Sequence, residues 1–234
     1  MNDIWALQIE NTAFCNRKCS WCPQSVLKFT PDQRMSWETL ETIVKNLKEL
    51  GYTGRIHPYG NGEPLTDPDF IDRVRYIRRQ MPRCYIYIAT NGDLIGKPHS
   101  FKDIIDAGCH EIQCNHYDDK KFYLMDDSPP EVKHLTLGML RTTFYNRGGN
   151  VEITNVNIQQ KCDLTTTKLF FNYLGDLLLC CSDWRYQYPI GNINKQSLQE
   201  MLSSALMKKY REDYPLCHTC NMISHKENLW KVTA

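Results

Sequence analysis

The chain has 234 residues, with 28 Lys+Arg against 27 Asp+Glu and a net charge of +1. That balance excludes broad, charge-driven binding to nucleic acid as the main task, and no apolar run approaches the ~18 residues that a membrane span needs. With 41% hydrophobic and 24% charged residues the composition is that of a globular chain, long enough for one compact domain with an appendage and no disulfide staples. The opening MNDIWALQIENT is acidic and has no basic n-region, so no secretory signal is read and a cytoplasmic location is expected. Cysteine is the outlier at 11 residues. In a reducing compartment that number points to metal rather than to disulfides.

The first half alternates strands and helices. Ile4–Glu10 reads as a strand running into Cys15. Ser36 is placed to cap a helix over Trp37–Leu50, with Leu40, Ile43, Val44, Leu47 and Leu50 on one face and Gly51 ending it. Arg55–Tyr59 reads as a strand before a Gly-rich loop, and Asp67-Pro68 as the cap and first residue of a helix reaching about Arg79. Cys84–Thr90 is a strand closed by Asn91-Gly92, Ser100–Ala107 a short helix, and His110–Asn115 the next strand. This order predicts a parallel sheet with helices outside it. Asp118–Pro130 reads as a connector, Lys168–Tyr173 and Leu177–Ser182 as a hairpin around Leu174-Gly175-Asp176, and Ser197–Tyr210 as a helix. The boundary is placed at Gly149/Asn150, giving domains 1–149 and 150–234.

Cys15, Cys19 and Cys22 form a C-x3-C-x2-C loop at a strand end. Three thiolates on one short loop can hold three irons of a cubane cluster and leave the fourth iron open. A zinc site would need a fourth ligand, and although His57 is available, nothing in the spacing specifies it. Asn61-Gly62-Glu63-Pro64 follows the second strand; its carboxylate suits a cationic amine, and its glycine allows close backbone approach. Further on, Cys162, Gly175 and Cys180 precede a Cys217-x2-Cys220 pair. Four thiolates close a site completely, and their spacing alone admits zinc or an iron–sulfur cluster.

The cysteine loop, with Trp21 before its third cysteine, resembles that of the radical S-adenosylmethionine (radical SAM) superfamily. Asn61–Pro64 matches its Gly-Gly-Glu-Pro motif except at the first residue. The later cysteines resemble the SPASM/twitch branch in its shorter, twitch form. The resemblance implies a partial parallel (β/α) barrel with a twitch domain of β-hairpin plus helix. It implies two [4Fe–4S] clusters, one on Cys15, Cys19 and Cys22 and an auxiliary one on Cys162, Cys180, Cys217 and Cys220, with S-adenosyl-L-methionine as co-substrate. Trp21, Asn61, Gly62, Glu63, Pro64, Thr90, Asn91 and Asn115 would then surround S-adenosylmethionine, with Glu63 facing its amine. Cys181 is expected to point away from its neighbour's cluster, and Cys84, Cys109 and Cys114 are read as small core residues.

Within that branch the set Glu10–Ser25, Gly54–Leu65, Thr90–Asp93 and Asn146-Arg147-Gly148-Gly149 resembles twitch-type dehydrogenases acting on amino-cyclitols. The activity implied is radical oxidation of a secondary alcohol of a small polyol, sugar or amino-cyclitol to a ketone, with the electron passed to the auxiliary cluster. Arg147 and His116 are the catalytic candidates: Arg147 as a permanently charged donor to the substrate oxygen, His116 as a base. Lys121 is a further candidate, for an anionic group. Expected partners are a small-molecule substrate and an external donor such as flavodoxin or ferredoxin, with no membrane. Two other readings compete. One is a peptide-modifying enzyme or epimerase on the same scaffold; the other is a non-catalytic iron–sulfur or zinc interaction module.

Overall fold

A computed structural model describes residues 3–118, 128–141, 144–153 and 162–221. Lys121 and the tail from Ile223 lie outside them. β1 (Ala6–Ile9) lies inside an eight-stranded open sheet, flanked by parallel β2 (Arg55–His57) and β6 (Lys168–Phe171). Beyond β2 follow β3 (Tyr85–Thr90), β4 (Glu111–His116) and β5 (Val132–Thr136), all parallel. Beyond β6 follow antiparallel β7 (Asp176–Leu178) and β8 (Gly191–Asn192). The expected hairpin therefore continues the main sheet. Sequence reading marks neither the two-residue β8 nor β5: VKHLT is short and mostly half-buried, with little period-two contrast.

Helix placement follows local chemistry. The Ser36 side chain accepts from Thr39 N to open α1 (Trp37–Glu49), which buries Leu40, Ile43, Val44 and Leu47. α2 (Phe70–Gln80) starts later than expected, because Asp67 serves elsewhere. Its carboxylate sits 2.8 Å from the buried Arg73 guanidinium, which also donates to Met35 O (2.7 Å). α3 (Phe101–Asp106) carries a full Ser100/Asp103 capping box. α4 (Leu137–Arg141) follows β5, and α5 (Leu164–Thr167) precedes β6. The single C-terminal helix expected is two, α6 (Leu198–Ser203) and α7 (Ala205–Glu212). Ser204 is extended and its side chain accepts from Met207 N, a fresh N-cap that interrupts the run. The core lies between the sheet and these helices, with Leu7, Ile9, Ile56, Ile88 and Ile112 fully buried. Among the described residues no helix is long and apolar enough to cross a membrane.

Glu10, at the end of β1, is a fully buried carboxylate that joins the two halves. It accepts from Asn61 N (2.9 Å), Tyr173 N (3.2 Å) and Tyr186 Oη (2.7 Å). Burial raises it from 4.5 to about 7, against those three hydrogen bonds. A raised carboxyl makes the folded state the better proton binder. Its stabilising protonation is complete below pH 4.5 and lost as pH rises through about 7. Between pH 6 and 8 the wild type is expected to lose about 1 kcal/mol of stability that Glu10→Gln does not lose. Anaerobic denaturant titrations of both proteins at the two pH values measure the difference.

Candidate functional site

The cysteine loop begins where β1 ends, and its backbone is the floor on which the second motif rests. Glu63 N donates to Phe14 O (2.9 Å). Gln24 Nε2 donates to both Ala13 O (2.6 Å) and Asn61 O (3.2 Å). Gly62 lies so close that a Cβ there would stand 2.3 Å from Thr12 O and 2.5 Å from Phe14 O. The end of β3 grips the loop from the other side. Asn91 Nδ2 donates to Asn16 Oδ1 (2.8 Å), and Arg17 makes two bonds of 2.6 Å to Asp93. Glu63 is oriented by Thr90 Oγ1 (2.6 Å) and Asn91 N (2.8 Å), both donating to its carboxylate. Sequence reasoning missed Gln24 and the Arg17–Asp93 pair; only the placement of Asp93 after Thr90-Asn91-Gly92 hints at the latter.

These groups open on one cavity of about 330 Å³ at the carboxyl ends of the strands. Cys15, Cys19 and Cys22 line it together with Asn61, Gly62 and Glu63, and so do Thr90, Asn91 and Asn115. Trp21 lines it as well, stacked on Phe144 with centroids 5.2 Å apart. Pro64 is buried behind the wall, opening a 3-10 turn. Burial pushes the Cys15 thiol up to about 12 and also raises Cys19 and Cys22.

Arg147 reaches the same cavity from an unusual backbone. Arg147, Gly148 and Gly149 all have positive φ, at 50°, 67° and 85°. A Cβ on Gly148 would meet Leu216 at 2.8 Å. This left-handed run lets Asn146 and Asn221 exchange backbone-to-side-chain hydrogen bonds (2.7 and 3.1 Å), docking the segment on the turn that carries Cys217 and Cys220. The Arg147 guanidinium is stacked over Tyr145 (4.4 Å) and donates to its hydroxyl (3.1 Å). Burial opposes its charge, but Tyr145, Cys22 and Cys181 outweigh that and hold it above its ordinary value.

The second cysteine set comes from three segments. Cys162, before α5, lies in the field of Cys217, Cys220 and Cys181. Cys162 Sγ accepts from Leu164 N (3.4 Å) and Cys180 Sγ from Ser182 N (3.3 Å), the kind of amide contact that favours a ligating sulfur. Cys181 faces the cavity, which sequence reasoning did not foresee. A hydrogen bond from Cys180 draws its thiol below the ordinary value, helped by Lys168 and Arg147. Arg147 therefore stands near both Cys22 of the first set and Cys181, the neighbour of Cys180 in the second.

Donor spacing tests which metal these sets suit. Sulfurs on one zinc ion at 2.3 Å lie about 3.8 Å apart. Among the described residues, only Cys114, His116 and His134 bring three ligand atoms within 4.8 Å of one another. Among the described residues no trio of the seven cysteines comes that close, so their sulfurs are not spaced for a single zinc ion. His116, expected at the substrate, is on the other face of β4: Gln113 and Asn115 face the cavity, so period-two alternation turns Cys114 and His116 away from it. Cys84, Cys109 and Cys114 are buried in the core.

A family profile described as the Radical SAM superfamily matches residues 9–120, and one described as an iron-sulfur cluster-binding domain (SPASM) matches residues 162–221. The chain is 26% identical to the S-adenosyl-L-methionine-dependent 2-deoxy-scyllo-inosamine dehydrogenase of Niallia circulans, over 93% of both chains. It is 25% identical to a probable GTP 3',8-cyclase of Methanococcus maripaludis over 74% of this chain and 50% of that one. The crystal structure of BtrN in complex with AdoMet and 2-DOIA superposes with a TM-score of 0.84 at 23% identity, covering 97% of both chains. Gly62→Ala is expected to cost about 1–3 kcal/mol of stability, because the atoms it strikes are backbone. Anaerobic denaturation against the wild type measures that loss.

Proposed function

We propose that this chain, which belongs to the radical SAM superfamily and carries a SPASM-type iron–sulfur domain, oxidises a secondary alcohol of a small polyol, sugar or amino-cyclitol to a ketone. The observation that carries the reading is one cavity lined by the three-cysteine loop and Glu63 together with Arg147 and Cys181, the neighbour of Cys180 in the second cysteine set. A substrate bound there would lie beside both sets. The 2-deoxy-scyllo-inosamine dehydrogenase, similar over nearly its whole length, supports the same reaction class.

Cys15, Cys19 and Cys22 would hold one [4Fe–4S] cluster, and Cys162, Cys180, Cys217 and Cys220 the other. When bound, the clusters and S-adenosylmethionine supply one-electron chemistry: a 5′-deoxyadenosyl radical that takes hydrogen from carbon, and an acceptor for the electron the substrate then gives up. The chain's own residues orient and exclude. Glu63, already fixed by Thr90 and Asn91, presents a carboxylate to the methionyl amine. Gly62 keeps Glu63 against the cysteine loop. Asn61, Thr90, Asn91 and Asn115 line the polar wall, Trp21 and Phe144 an aromatic one, and Pro64 supports the turn beneath. Arg147, always charged, holds the substrate oxygen as its proton departs. The substrate loses in all one hydrogen atom from carbon, one proton from oxygen and one electron. A flavodoxin or ferredoxin as donor, and a cytoplasmic location, complete the reading.

Anaerobic reconstitution with iron and sulfide is expected to give about eight irons per chain. Added S-adenosylmethionine and dithionite should yield 5′-deoxyadenosine, and a carbon-deuterated polyol panel should transfer label into it while forming a ketone. The double variant Cys217→Ala/Cys220→Ala should hold about four irons and lose ketone formation. Zinc in place of iron, with no deoxyadenosine, would overturn the proposal. Glu63→Gln should keep its iron yet bind S-adenosylmethionine at least tenfold more weakly, since a hydrogen bond to a charged group is worth about 1.5–3 kcal/mol; calorimetric titration reads this directly.

A further inference from the structure

The geometry points to a second kind of metal site: Cys114, His116 and His134 as ligands of a single thiophilic divalent cation of the zinc class, on the helix-facing side of the sheet. Strand geometry assembles it. Cys114 and His116 are two apart on β4 and share a face, and the parallel register sets His134 of β5 opposite Cys114. The three ligand atoms all lie within 4.8 Å of one another. His116 Nε2 and His134 Nδ1 are 2.7 Å apart, and the two rings are stacked at 4.9 Å. No other His, Cys, Asp or Glu trio among the described residues is drawn together so closely.

The surroundings fit the same chemistry. His134 Nε2 meets Ser128 Oγ at 2.8 Å, so one ring nitrogen is oriented by an outer partner while the other faces the site, the usual arrangement of a ligating histidine. Phe101 of α3 stands edge-on to His134 at 6.0 Å, and Cys114 is fully buried, so the site is shielded by apolar neighbours. Cation binding would release the Cys114 thiol proton to water and form one metal–sulfur and two metal–nitrogen bonds. Sulfur plus imidazole as the donor set selects zinc over magnesium or calcium. The site lies on the opposite face of β4 from the cavity and takes no part in the proposed reaction. It would bolt the edge strand β5 to β4, whose other face carries Gln113 and Asn115 into the cavity.

The test is metal content. Iron-reconstituted wild-type protein is given one equivalent of zinc chloride, desalted and analysed for both metals. About one zinc per chain is expected, beside full iron. His134→Ala and Cys114→Ser should each lose that zinc and keep their iron. Zinc lost on desalting the wild type, or kept in full by folded His134→Ala, overturns the assignment. Because Cys114→Ser alters the core, zinc-edge X-ray absorption on the wild type gives an independent readout. One sulfur at about 2.3 Å with two nitrogens at about 2.0 Å supports the site; an all-sulfur shell means that zinc occupies the cluster cysteines, and refutes it.

Discussion

The close seating of Asn61-Gly62-Glu63 on the backbone of Thr12–Phe14 is the contact on which the site depends. A loop of three cysteines has little reason of its own to hold one shape. Its shape is imposed from outside, by Gln24 beneath, Glu63 N on one side and the Arg17–Asp93 and Asn16–Asn91 contacts on the other. The absence of a side chain at Gly62 is what permits the approach. Once the two segments touch, the carboxylate of Glu63 and the three sulfurs have no choice but to face the same space.

A second constraint sets the far wall. Placing Arg147 in the left-handed region is costly for a residue with a Cβ. The cost is offset by the docking of Asn146 onto Asn221 and of Gly148 onto Leu216. The same small knot thus fixes a buried cation over the cavity and the turn carrying Cys217 and Cys220. The cavity wall that carries Arg147 and the turn that carries Cys217 are one structural unit, so neither can be moved without the other.

Much of this was legible in sequence. Strands β1–β4, helices α1 and α3 and the hairpin declare themselves through period, caps and glycines. The cysteine spacing and Asn61–Pro64 name the chemistry. What escaped has physical causes. β5 is too short and too evenly exposed to show a period. Ser204 looks like any helical serine until its backbone turns out extended. His116 was expected at the substrate because strand ends bind ligands, but a strand end has two faces, and parity sends Asn115 to one and His116 to the other. Strand parity turns Cys181 away from Cys180, but β7 ends at Leu178, so the two lie in a turn where parity does not hold; their thiols meet, and Cys181 faces the cavity.

The pairing of β1 with β6 also bears on how the chain comes into being. Ala6 bonds to the strand register at Lys168, so one edge of the first strand stays bare while most of the polypeptide is being made. Such an edge is a template for wrong partners, and contacts this distant in sequence form slowly. Synthesis therefore passes through a stage in which the β1–β4 layer exists without its closing neighbour. The late-arriving hairpin does more than deliver cysteines: it seals a flank through which nascent copies could stick together.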